Sequence, residues 1–454
     1  MSTDMRGVFQ PTLFAQAPVV SVAVPQDHPY RVLSENLPWM TMAEIANRIR
    51  SEHVDIHNGR RLDIRLHLGA YAAQAMNNWT DRQTEDMVRC HAGVRLLCGV
   101  EASDLSLDHT SIEEFRNMLG KEGAQEMNRL GVLTAAGFGF TNSEICSSDT
   151  TVQESPIQYP TEAGHMKKMA EKLVAIGRCI KGAAAKRVRE LADQVADHFK
   201  NLRLSVRGKT EEAKKAKQRL SLKMHDALGG LIKQVKGAVA KLGPGQKAKL
   251  EEQLKLFAHL RDQIEVWLKT GFHPKDKIIS LWDLTARAIG RGKLAKATEF
   301  GRRWIVTRLT NGYVIGSQCF KIGADADIKI ADEVLIDFLN TFGKIPQTFV
   351  YDRGGNGAKN HELLKGLGVE NNCIFGRPEM ENLTEQTKEL GRRERALSEA
   401  SIANIKHNRY GFNKPRARST DSCTLKGYAA ICGFNLNRMA HDLKRKSKMS
   451  PAAT

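Results

Sequence analysis

The chain has 454 residues, with 69 Lys and Arg against 51 Asp and Glu, a formal net charge of +18 and a pI near 9.5. That length allows two or three domains with a sizeable core, and the basic balance favours a polyanionic partner, nucleic acid before membrane. No apolar run is long enough to cross a bilayer, the N-terminus lacks the pattern of a secretory signal, and eight scattered Cys without a Cys-x-x-Cys pair argue for reduced cytoplasmic thiols.

In chain order, residues 1–40 contain five of the thirteen Pro and little periodicity, which predicts a flexible N-terminal arm. Residues 41–135 read as a helical domain. Thr41 with Glu44, Thr80 with Gln83 and Thr110 with Glu113 each have capping-box spacing. Leu62, Leu66, Leu68, Tyr71, Ala72 and Met76 give one apolar face. A strand signal carrying Asp149 follows Phe140 and stops at Pro160.

Residues 166–275 predict a basic all-helical insertion. Positions 167–269 hold 25 Lys or Arg and 11 Asp or Glu, a net +14. Gly229-Gly230 and Gly243-Pro244-Gly245 divide it into at least three helices. Leu250, Leu254, Phe257, Ile264 and Leu268 recur at near-heptad spacing, as a core or dimer stripe would. DNA-backbone contact is the functional reading of the charge excess.

Strands return at 303–309 and 313–319, joined at Asn311-Gly312, a strong hairpin signal. Val334 to Phe342 make a helix closed by Gly343. The next strand segment, in 347–355, carries Asp352, Asn360 begins a short helix, and 373–375 is a short strand. The stretch 395–406 has no Gly or Pro and reads as a helix. It places Arg395, Glu399, Ile402 and Lys406 on one stripe. Taken alone, that stripe reads as a solvated face with i,i+4 ion pairs. A closing helix spans 425–443, and residues 444–454 form a basic tail.

Three stretches together resemble bacterial insertion-sequence transposases with a DDE triad, the ISNCY-like group. They are the Asp149-Thr-Thr-Val-Gln-Glu run, Asp352-Arg-Gly-Gly, and Arg395-x3-Glu399-x6-Lys406. The last matches the family signature Tyr-x2-Arg-x3-Glu-x6-Lys, with Arg392 standing where the signature has Tyr. The resemblance runs weakly over 60–165 and more firmly over 276–443. It implies an α/β fold with an RNase H-like mixed-sheet catalytic domain formed by 136–165 and 276–443. It also implies that the helical domain at 41–135 helps bind element ends, where the residues themselves equally allow a packing role.

Phosphodiester cleavage needs an activated nucleophile and a stabilised leaving oxygen, which two divalent cations can provide. Hard oxygen ligands hold such ions. The resemblance therefore implies Asp149, Asp352 and Glu399 as catalytic and metal ligands for two Mg²⁺ or Mn²⁺ ions, with Asp149 bridging. Arg395 and Lys406 would contact phosphates. Arg392, Arg409, Lys414, Arg416 and Arg418 lie in a stretch, 392–448, holding 14 cations and 4 anions, and extend the candidate DNA surface.

Competing carboxylates are Asp325 and Asp327, which read as helix caps, and Asp283, a weaker ligand candidate; His165 and His361 read as surface residues. The expected function is DNA transposition on terminal inverted repeats and target DNA, by a homo-oligomer in the bacterial cytoplasm at the nucleoid. Rival readings are a non-catalytic DNA-binding descendant and an RNase H-like nuclease or resolvase.

Overall fold

The computed structural model describes residues 23–53, 62–100, 107–205, 210–293, 296–319, 331–376, 383–417 and 419–449. Arg418, Asp325 and Asp327 lie outside the described residues. The N-terminal part is α1 (Pro29–Asn36), α2 (Trp39–His53), α3 (Ile64–Asn77), α4 (Asp81–Cys90), α5 (Ala92–Cys98) and α6 (His109–Gly137). The capping box at Thr80 and Gln83 is formed. The other two are displaced. Thr41 lies inside α2, and α6 is capped by Asp108 with Ser111, two residues before Thr110.

Residues 29–36 and 39–40, expected in a flexible arm, are instead helical. Val32 and Leu33 of α1 are buried, with α1 packed on α5 and on the closing helix α14 (Thr420–Met449). The apolar residues of α3 were expected on one face; nearly every residue from Ile64 to Met76 is buried. α3 is the axis of the helical block, and α14 lies along it. At their crossing a Cβ on Gly433 would stand 2.1 Å from the Ala75 carbonyl oxygen, so a glycine is required there. α14 reaches Met449 and absorbs the first part of the expected tail.

The sheet contains β1 (Ile145–Glu154), β2 (Arg287–Lys293), β3 (Lys296–Arg308), β4 (Val314–Cys319), β5 (Thr348–Tyr351) and β6 (Asn371–Ile374). β3 pairs antiparallel with β1 on one edge and with β2 and β4 on the other. β1 pairs parallel with β5, and β5 with β6. The β3–β4 turn has Asn311 at φ 58° and Gly312 at φ 80°, as the Asn-Gly pair predicts. β2 was not anticipated: its Gly- and Arg-rich sequence reads as loop, and pairing with the long N-terminal half of β3 makes it a strand. Helices α11 (Ala331–Phe342), α12 (Ala358–Gly366) and α13 (Glu385–Ile405) complete the element order. One continuous apolar core joins Leu33 and Leu68 to Phe115, Ile305, Phe349 and Leu436, so helical block and sheet fold onto each other.

The insertion is α7 (Glu162–Ile176), α8 (Ala183–Ser205), α9 (Glu211–Val239) and α10 (Pro244–Thr270). It has its own core, including Leu173, Val195, Leu228 and Phe257. Leu254, Phe257, Ile264 and Leu268 are buried in it, so the stripe is intramolecular core rather than a dimer seam. Gly229-Gly230 does not break α9. A Cβ on Gly229 would stand 3.0 Å from the Arg261 guanidinium and one on Gly230 3.5 Å from Leu191, so the pair admits close helix packing. The two limbs of the insertion are clamped at its root by the Lys277–Glu162 ion pair and by His165 Nε2–H donating to the Ile279 carbonyl at 2.9 Å. His165 is therefore a buried structural residue, not a surface one.

Asp283 is likewise structural rather than a metal ligand. It is fully buried, accepts from Arg302 at 2.6 Å, Ser155 Oγ at 2.6 Å and Thr285 Oγ1 at 3.0 Å, and so ties the returning limb to β3 and the end of β1. Removing one partner of a buried ion pair leaves an uncompensated charge. Arg302→Ala is expected to lower unfolding stability by about 3–5 kcal/mol in urea titration.

A second polar knot lies between α3, α4 and α6. Arg116 pairs with Asp81, and Gln74 donates to Asp81 at 2.7 Å. Burial, and next the nearby Arg116 guanidinium, push the Lys426 ammonium down to about 8 from its ordinary 10.5. The unfolded chain keeps that proton up to about 10.5, so this site adds stability as pH rises from about 8 to 10.5. Lys426→Met should therefore exceed the parent's stability at about pH 7. The gap should shrink by about pH 10, read from urea midpoints at both values.

Candidate active site

β1 supplies the first carboxylate. Ser147 of β1 pairs with Val350 of β5, and Asp149 and Asp352 each stand two residues further on. Side chains alternate along a strand, so the parallel register puts both carboxylates on one face of the sheet. Asp352 closes β5 and caps the short 3-10 turn Arg353–Gly355, its Oδ1 accepting from the Gly354 N–H at 2.8 Å. Asp149 Oδ1 accepts from the Thr150 N–H at 2.7 Å.

α13 crosses that face. Its buried side includes Glu394, Ser398, Ser401, Ile402 and Ile405. Glu394 forms a buried ion pair with Arg308 of β3. Ser398 Oγ lies 2.7 Å from Ser147 Oγ, and Ser147 is two residues before Asp149. These contacts fix the helix rotation, and the adjacent stripe carries Arg395 and Glu399. Arg395 Nε lies 3.8 Å from Glu399 Oε1, the i,i+4 pair expected of a solvated helix.

A cleft of about 680 Å³ is lined by Asp149, Asp352, Arg395, Glu399, Ile402 and Lys406 together with Arg303 of β3 and Ile289 and Gly290 of β2. Arg303 and the β2 wall were not anticipated; the Arg302-Arg303 pair at the start of the predicted strand is the available signal for the former. Arg392, Arg409, Lys414 and Arg416 do not line this cleft. Arg392 is exposed, 3.6 Å from Glu389, beside a smaller hollow that Arg395 shares. Arg409 donates to Asn437 Oδ1 at 2.7 Å and to the Met76 carbonyl at 3.3 Å, holding the loop after α13 on α3 and α14. Lys414 Nζ is 3.8 Å from Glu154. Arg416 is exposed. His361 is enclosed between Asn356 at 2.6 Å and Asn372 at 2.8 Å.

Among the described residues, no three His, Cys, Asp or Glu side chains are grouped closely enough to hold a metal ion together. Asp149, Asp352 and Glu399 each present hard carboxylate oxygens, the ligand type Mg²⁺ and Mn²⁺ take, in a cleft with room for water.

A family model described as a transposase domain (DUF772) matches residues 19–118. This match supports a transposase family. It falls on the helical block from α1 into α6, beginning well before residue 60, where the motif resemblance starts. No curated protein and no solved structure matches the chain. Among the described residues no helix is long and apolar enough to cross a membrane.

The serine pair beneath the carboxylates gives a direct test of how α13 is held. Ser398→Val replaces a buried hydroxyl and leaves Ser147 without that partner. It is expected to cost about 1–3 kcal/mol in denaturant unfolding, with the helical circular dichroism retained.

Proposed function

We propose that this chain is a DDE transposase, binding the ends of a mobile DNA element and cutting and joining strands in the cleft between β1, β5 and α13. The observation that carries this is the meeting of Asp149, Asp352, Glu399, Arg395 and Lys406 in one cleft from three separated parts of the chain. Support also comes from the sheet order β4-β3-β1-β5-β6, an antiparallel meander followed by two parallel strands, as in an RNase H-like core.

In this reading Asp149, Asp352 and Glu399 hold the metal ions. When bound, two Mg²⁺ or Mn²⁺ ions supply an activated oxygen nucleophile and a stabilised leaving oxygen. Arg395 leaves Glu399 and clamps a phosphate through two N–H donors, while Lys406 adds a point charge at the far end of the same stripe. The substrate is double-stranded DNA at the element ends and at the target, bound by a homo-oligomer in the bacterial cytoplasm at the nucleoid. The helical block, where the family match falls, is the part that recognises the ends.

Asp149→Asn, Asp352→Asn and Glu399→Gln should each retain end-DNA binding and lose metal-dependent cleavage. The loss should exceed the about 10–100-fold that removal of a supporting outer partner costs. A nicking assay on DNA carrying the element ends, run with Mg²⁺ and with Mn²⁺, checks it; an Asp352→Asn protein cutting at the parental rate would sink the assignment. The Arg395–Glu399 pair and the spacing of the three carboxylates favour one rival, a non-catalytic DNA-binding descendant. Under that reading the parent itself binds ends and never nicks them.

A further inference from the structure

The charge of the insertion is not spread evenly over its helices. Residues 172–189 contain six Lys or Arg and no Asp or Glu, and residues 233–249 contain five and none. The fold brings these two stretches together. The first spans the end of α7 and the start of α8, and the second spans the end of α9 and the start of α10. A Cβ on Gly177, just after α7, would lie 3.3 Å from Val188 of α8 and 4.0 Å from Val235 of α9. A short turn after Val239 then starts α10, which returns antiparallel. All four helix ends therefore gather at one end of the bundle.

That end is remote from the sheet. The root is clamped at the other end, where Gln263 near the end of α10 donates to the Asp276 carbonyl at 3.2 Å. α10 begins at Pro244, 19 residues before Gln263, which at 1.5 Å per residue puts the tip about 30 Å from the root. Elsewhere in the bundle acids stand among the cations, as Asp193 and Asp197 do in α8; residues 213–225 of α9 also hold five Lys or Arg and no acid, but they follow Glu211 and Glu212, and Lys214 pairs with Glu211. At the tip, Lys181, Lys186, Arg189, Lys233, Lys236 and Lys241 are exposed and, among the described residues, form no ion pair. A surface that serves solubility alone intersperses charges, because a single-sign cluster repels itself.

We propose that this tip is a second DNA-binding surface, separate from the cleft, that grips the phosphate backbone of duplex DNA. Duplex DNA is the partner whose charge density, one phosphate per about 1.7 Å of axis, matches a compact cluster with no apolar or aromatic readout. A rod-like partner is also one that can lie on both sheet domain and tip. Placing that duplex on an element end rests on the transposase reading; the affinity of the tip for duplex does not.

The test uses the full chain carrying K181Q, K186Q, K233Q and K236Q. The control has the same charge change at exposed sites elsewhere, K255Q, K275Q, K344Q and K365Q. Binding to a 40-base-pair duplex of arbitrary sequence is followed by anisotropy across a KCl series. Each lost phosphate contact removes about 0.9 from the slope of log K against log salt, so the four-site tip variant should lose about 3.6 and the control less than about one. A tip slope equal to that of the parent or the control overturns the proposal. So does competition in which single-stranded RNA displaces the tip-dependent binding more readily than duplex. A variant with Arg at the four tip positions should keep the parental slope, which separates charge from misfolding. Nicking is scored apart: a chain that never cuts DNA yet keeps the tip-dependent slope defeats the transposase reading and leaves the tip assignment standing.

Discussion

Strand β1 is hydrogen-bonded along both edges, antiparallel to β3 and parallel to β5, and the rest of the molecule is arranged on that double pairing. The parallel register aligns Asp149 with Asp352, because a one-residue slip would send one of them to the opposite face. The antiparallel partner β3 then anchors what lies above the sheet. Arg308 reaches Glu394 of α13, and Arg302 reaches Asp283 on the returning limb of the insertion. Two buried guanidinium–carboxylate pairs from one strand thus set the helix bearing Glu399 and the root of the basic bundle.

The two pairs differ from the exposed pairs on helix surfaces, such as Arg395 with Glu399, whose side chains are 46% and 63% exposed. An exposed pair contributes little to stability and exchanges partners at small cost. A buried pair fixes geometry, since breaking it strands a charge. The cleft therefore combines a rigid floor with a loosely paired rim. That is the distribution a site needs if its rim is to trade a protein carboxylate for a phosphate.

The insertion follows a different logic. It has its own apolar core and enters a single strand-to-strand connection, where a compact fold tolerates added chain at modest entropic cost. The helical block has no such independence, sharing one core with the sheet through α14. The family match on that block and the carboxylates in the cleft therefore belong to one packed body rather than to two linked modules.

Much of the local structure was legible in the residues themselves. The Asn311-Gly312 turn, the Thr80 cap, the strands carrying Asp149 and Asp352 and the stripe on α13 depend on near neighbours, which a sequence displays directly. Other features were decided by distant packing. Gly229-Gly230 is a break by composition and a contact surface in the bundle, because Arg261 and Leu191 occupy the space that side chains would fill. Residues 29–40 look like an arm until α5 and α14 cover them. Asp283 has the chemistry of a metal ligand until Arg302, 19 residues away, claims it in the interior. The sequence by itself determined which strands and helices carry carboxylates and which helices carry the positive charge. The tertiary structure decided which of them meet, because burial and pairing depend on what lies across the fold rather than along the chain.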